Sequence, residues 1–70
     1  MRVGLTEQEF RRVAYHLDML RKFTSMTERY TPEFVQKAAD QRRGMVFALD
    51  ALGFAVIEDE SGKVIDIAQR

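Results

Sequence analysis

The feature that most constrains this sequence is the lack of cysteine, together with a single histidine, His16, in a chain of 70 residues. Small domains usually gain stability from disulfides, a structural metal or a partner subunit. Disulfides are excluded here, and so are thiolate or histidine-rich metal sites. A chain of this length forms one domain at most, residues 1–70, and it must rely on efficient packing or on self-association.

The charge of the chain is balanced, with 11 basic and 11 acidic residues. Nucleic-acid binders usually carry a basic excess, because neutralising phosphates supplies most of their affinity. No apolar run approaches the roughly 20 residues that cross a bilayer, and the N-terminus lacks the apolar segment of a secretory signal. We therefore expect a cytoplasmic protein with no membrane role.

A first helix is predicted over residues 6–25. Thr6 and Glu9 stand at the spacing of a capping box, which satisfies free amides at a helix start. Apolar residues then recur at intervals of three and four, as on one face of a helix. A second apolar row widens this face beyond what one partner helix covers. The two rows contain Phe10, Val13, Leu17 and Leu20, then Met19, Phe23 and Met26.

A second helix is predicted over residues 32–52. Thr31 is a suitable N-cap, Pro32 fits the first turn, and Gly53 is a natural residue to end the helix. After Gly44 the sequence is apolar almost without interruption up to Leu52. A helix that is apolar nearly all round is normally covered on more than one side.

A β-hairpin is predicted over residues 54–68, with a three-residue loop that ends at Gly62. This loop pairs Asp59 with Lys63, Ile57 with Ile65 and Ala55 with Ile67, so that the inner face contains Ala55, Ile57, Ile65 and Ile67. A two-residue loop would set Ile57 opposite Asp66, and the longer loop is therefore favoured. The predicted fold class is α+β: an antiparallel helical hairpin followed by a two-stranded β-hairpin.

The segment from Leu49 to Ile67 resembles the last helix and wing of winged-helix DNA-binding domains. In that family the helix before the wing lies in the major groove and presents polar side chains to the bases. Here that helix is Met45 to Leu52, and its single polar side chain is the acidic Asp50. The resemblance covers about a quarter of the chain and implies a shared helix-to-hairpin geometry.

No catalytic, cofactor-binding or metal-binding residues are predicted. His16 lies on the row of Met19 and Phe23, with no serine or carboxylate beside it in a recognised catalytic spacing. The sequence also lacks a glycine-rich phosphate loop. We therefore interpret His16 as a structural helix residue and the protein as non-enzymatic.

The surplus of apolar residues predicts a protein–protein interface. Aromatic residues, methionine and arginine are enriched at such surfaces. Phe47 falls on the side of the second helix that carries polar residues, where solvent is expected. We expect a small interaction or regulatory protein that forms a homodimer with a four-helix arrangement and also binds another protein. The predicted interface residues are Met19, Phe23, Met26, Met45, Phe47 and Phe54.

The alternative function is a nucleic-acid-binding regulator. Its contacts would come from four arginines in two adjacent pairs. Neighbouring residues on a helix diverge by roughly 100°, and acidic residues are interspersed, which favours a solvated, salt-bridged surface over a phosphate-binding one. The arginines concerned are Arg11, Arg12, Arg42 and Arg43.

Overall fold

The computed structural model describes residues 4–70 and has the predicted order of two helices and a hairpin. Helix α1 is Glu7–Ser25, helix α2 is Pro32–Ala51, and strands β1 (Phe54–Glu58) and β2 (Val64–Gln69) pair antiparallel. The predicted domain begins at residue 1, and its first three residues lie outside the described part. The α+β class is confirmed.

Local hydrogen bonds fix the ends of both helices. The Thr6 hydroxyl accepts from the Glu9 amide at 3.1 Å, and the Glu9 carboxylate accepts from the Thr6 amide at 2.9 Å, which completes the predicted capping box. The Thr31 hydroxyl accepts from the Phe34 amide at 3.2 Å. Helix α2 ends where Gly53 adopts a positive φ of 90°, a conformation that glycine reaches without strain.

One core joins all four elements. Leu17 of α1 is completely buried, and it clusters with Ala14, Leu49, Val64 and Ile67. Polar contacts also join the helices to each other and to the hairpin. The Asp18 carboxylate accepts from the Val64 amide at 3.0 Å. Arg42 donates from Nε to the Leu17 carbonyl at 3.2 Å and from Nη2 to Glu58 at 2.7 Å.

The predicted strand register is correct only next to the turn. The Asp59 amide donates to the Lys63 carbonyl at 2.9 Å, and Gly62 has the expected positive φ of 87°. Beyond Glu58, which pairs with Val64, the register shifts so that Ile57 pairs with Asp66. Ile65 is therefore the additional residue of a β-bulge.

The bulge also overturns the predicted inner face of the hairpin. Val64 and Ile67 are both buried although they are three residues apart, which regular alternation does not allow. Ile57 and Ile65, predicted to face inward, are 41% and 55% exposed. The physical reason is that the additional residue in β2 turns both Val64 and Ile67 towards the helices. The apolar area that these two side chains bury outweighs the area that Ile57 and Ile65 expose.

The hairpin turn contains a carboxylate that should make stability depend on pH. Asp59 accepts hydrogen bonds from the Ser61 hydroxyl at 2.6 Å, the Ser61 amide at 2.9 Å and the Lys63 amide at 3.0 Å. The Ser61 hydroxyl, followed by the Lys63 amide, lowers the pKa of this carboxyl below its ordinary value. Because the folded-state pKa is lowered, the stabilisation is complete above the ordinary aspartate pKa of about 3.9 and is lost as the pH falls through the lowered value.

Replacing Asp59 by asparagine should therefore destabilise the chain at neutral pH and have progressively less effect in acid. Urea unfolding of the wild type and Asp59→Asn between neutral pH and strong acid measures this difference. Glu60→Gln is the matched control, because Glu60 is an exposed carboxylate in the same loop. A difference between wild type and Asp59→Asn that does not change with pH would contradict the role of the Asp59 charge.

Candidate protein-interaction surface

An exposed apolar face lies on the second half of α2. Phe47 is 65% exposed and Leu52, the C-cap residue, is 73% exposed. Three small residues lie between and beside them at helical spacing, and all are exposed. We call these residues the α2 face: Gly44, Phe47, Ala48, Ala51 and Leu52.

The same side of α2 is polar in the first half of the helix. Phe34, which is 41% exposed, lies five turns before Leu52 at the edge of this side. The other residues reached by projecting the α2 face back by whole turns into the first half are exposed and polar. These residues are Glu33, Gln36, Lys37, Asp40 and Gln41. The change from polar to apolar occurs at Gly44, so the apolar character belongs to one defined part of the helix.

Two exposed charges border Phe47 on one flank of the α2 face. Arg43 lies one turn before Phe47, and its Nη1 is 3.3 Å from Asp40 Oδ1. Asp50 lies one turn after Phe47, and its Oδ1 is 2.6 Å from Arg70 Nη2. The side chains in both pairs are more than half exposed, and such surface ion pairs stabilise little and exchange partners readily.

The other predicted interface residues are more buried than Phe47. Met45 and Phe54 pack against the central core. Phe23 lies in an aromatic cluster at the tip of the helical hairpin, with ring centroids 5.6 Å from Tyr30 and 5.5 Å from Phe34. Met19 of α1 and Met26, the C-cap residue of that helix, are half-buried. Of the six predicted residues, only Phe47 belongs to the α2 face.

The four predicted nucleic-acid contacts lie in different surroundings. Arg42 is held by Leu17 and Glu58, and with Arg43 it lines a groove of about 380 Å³ between the helices. Arg11 pairs with Glu7 at 2.7 Å. Neither Arg11 nor Arg12 lines that groove. Three of these four arginines are therefore within ion-pair distance of a carboxylate.

Comparisons with known proteins do not add to this picture, because no family model, curated protein or solved structure matches the chain. Within residues 4–70, no helix is both long and apolar enough to cross a membrane. In the same part of the chain, no group of three histidine or carboxylate side chains is placed to hold a metal ion.

Proposed function

We propose that this protein is a small interaction module that acts by binding and associates with a second copy of itself through the α2 face. The observation that carries the proposal is the exposure of Phe47 and Leu52 on either side of small residues. Contiguous exposed apolar patches on folded domains mark binding surfaces. A partner helix would rest on the small residues, with these two large side chains on its flanks.

Gly44 supports this proposal independently. A glycine inside a helix costs about 1 kcal/mol relative to alanine. A Cβ added at Gly44 would meet nothing within 4 Å, so packing within one chain gives no reason for the missing side chain. Close approach of a second backbone would supply one, because small residues let helices pack closely.

Charge complementarity favours a second copy of this chain, with its α2 antiparallel. A two-fold axis near Phe47 brings the same flank of both helices together. Arg43 of one copy then lies at the level of Asp50 of the other, and the reverse pair forms by symmetry. Both side chains are exposed and are free to exchange their present partners. With each α1 packed beside its own α2, two copies form a four-helix arrangement.

Replacing Gly44 by alanine should have opposite effects on folding and on association. The monomer should become more stable by about 0.5–1 kcal/mol, because alanine favours the helix and the added methyl group meets open space. The dimer should dissociate more readily, because two methyl groups enter the contact between backbones. The helical gain is common to monomer and dimer, so it cancels in the dissociation constant.

Urea unfolding at low concentration and sedimentation equilibrium at high concentration measure these two effects separately. Lys37→Ala is the control, since Lys37 is exposed on the polar half of the same helix. It should leave association unchanged. A Gly44→Ala protein that associates as well as the wild type, or better, would overturn the proposed contact.

A further inference from the structure

A second groove, of about 440 Å³, lies between the outer side of α1 and the hairpin loop. This volume is within the range of small-molecule sites. One wall is apolar or aromatic and consists of Tyr15, Met19 and Phe23. Tyr15 is 68% exposed, so its ring is accessible to a bound molecule. The groove lies on a different helix from the α2 face.

Three cations line this groove, namely Arg21, Lys22 and Lys63. None of them has a carboxylate of the described residues within 4.0 Å, whereas Arg11 and Arg42 each do. The only acid that lines the groove is Asp18. Its Oδ1 already accepts a hydrogen bond from the Val64 amide. The formal charge of the groove is therefore +2.

The Arg21 side chain rests on the hairpin turn and has a donor without a partner. Its Cδ would lie 3.1 Å from a Cβ at Gly62, so the side chain rests directly on the hairpin turn. Its Nε is buried and, among the described residues, is the one buried side-chain nitrogen or oxygen without a hydrogen-bond partner. A buried donor without an acceptor is unfavourable. An anion that draws the guanidinium towards the groove would satisfy it.

We propose that this groove binds a small phosphate monoester that carries an aromatic substituent. A phosphate monoester has a charge of about −1.5 to −2 at pH 7, which matches the excess charge of the groove. Its oxygens suit the guanidinium of Arg21 and the ammonium groups of both lysines. The aromatic substituent would pack against Tyr15 and Phe23. This inference does not depend on the α2 face.

The test is a titration with phenyl phosphate, followed by ¹⁵N NMR of the Arg21 Nε–H and the backbone amides of the hairpin loop at constant ionic strength. We expect saturable shifts at these positions. Inorganic phosphate should bind at least about fivefold more weakly, because it gains nothing from the aromatic wall. Equal affinity for both compounds would overturn the proposed ligand class.

Variants of the two exposed lysines test the site without disturbing the fold. Lys22→Ala and Lys63→Ala should each weaken binding by about fivefold, the effect of one unit charge at roughly 4 Å in water. Arg12→Ala is the control, because Arg12 is an exposed cation on α1 that does not line the groove. Shifts that do not saturate, or equal losses in all three variants, would mean that only general charge attraction occurs and would overturn the site.

Discussion

Replacing Phe47 by glutamate is expected to convert the proposed dimer into a monomer, with the dissociation constant raised by at least about 100-fold. Burying a phenylalanine side chain contributes about 1.5–3 kcal/mol, and two-fold symmetry counts this loss twice in each dimer. The two new carboxylates would also face each other across the two-fold axis near position 47. A total loss of about 3 kcal/mol already corresponds to a factor above 100. Sedimentation equilibrium measures the change.

The control for this experiment is Tyr15→Glu. Tyr15 is 68% exposed and Phe47 is 65% exposed, so the two substitutions remove similarly exposed aromatic rings and add the same charge. Tyr15 lies on α1, away from the α2 face, and its replacement should leave the dissociation constant within about twofold. Circular dichroism should show that both variants remain folded. Equal effects of the two substitutions would contradict the role of the α2 face.

Replacing Leu17 by alanine should lower the free energy of unfolding by about 3–5 kcal/mol. Leu17 is completely buried where α1 meets both α2 and the hairpin. Substitutions of leucine by alanine at such positions cost about 3–5 kcal/mol. A chain of this size has a total stability of about 4–10 kcal/mol, so the loss removes between about a third and all of it. Urea unfolding followed by circular dichroism measures the change.

The matched control is Leu52→Ala, which makes the same substitution at a side chain that is 73% exposed. Both variants are best made in a Phe47→Glu background, so that association does not add to the measured stability. Leu52→Ala should then change the free energy of unfolding by less than about 0.5 kcal/mol. A cost below about 1.5 kcal/mol for Leu17→Ala would mean that the core is not centred on this residue.

The elements of the fold could be predicted from the sequence because their signals are local. The bonds between Thr6 and Glu9 span three residues, and the cap at Thr31 does the same. Gly53 and Gly62 both adopt the positive φ that their turns require. Each of these features depends on neighbours along the chain, and a sequence pattern can detect them.

The strand register could not be predicted in the same way. The turn residues fix the pairing of Asp59 with Lys63, but they do not reveal the bulge at Ile65. That bulge forms because α1 and α2 offer a surface that buries Val64 and Ile67 together. Only the tertiary packing contains this information, and strict alternation along the strand therefore gave the wrong inner face.

For a similar reason, the sequence could reveal the α2 face but not the groove beside the hairpin loop. The exposure of Phe47 follows from its place among polar residues on one helix, and the spacing from Gly44 to Leu52 could have revealed the whole α2 face. The basic groove joins Arg21 and Lys22 of α1 to Lys63 of the hairpin loop. These residues are about 40 positions apart in the sequence, so no local pattern connects them.

Association through the α2 face is tested most directly by the mass of the wild-type protein in solution across a dilution series, measured by sedimentation equilibrium. Association through the α2 face predicts a mass that rises with concentration to twice the 8.1 kDa of the chain and does not exceed it, because a two-fold contact is closed. A mass that stays at 8.1 kDa up to millimolar concentration would rule out this dimer.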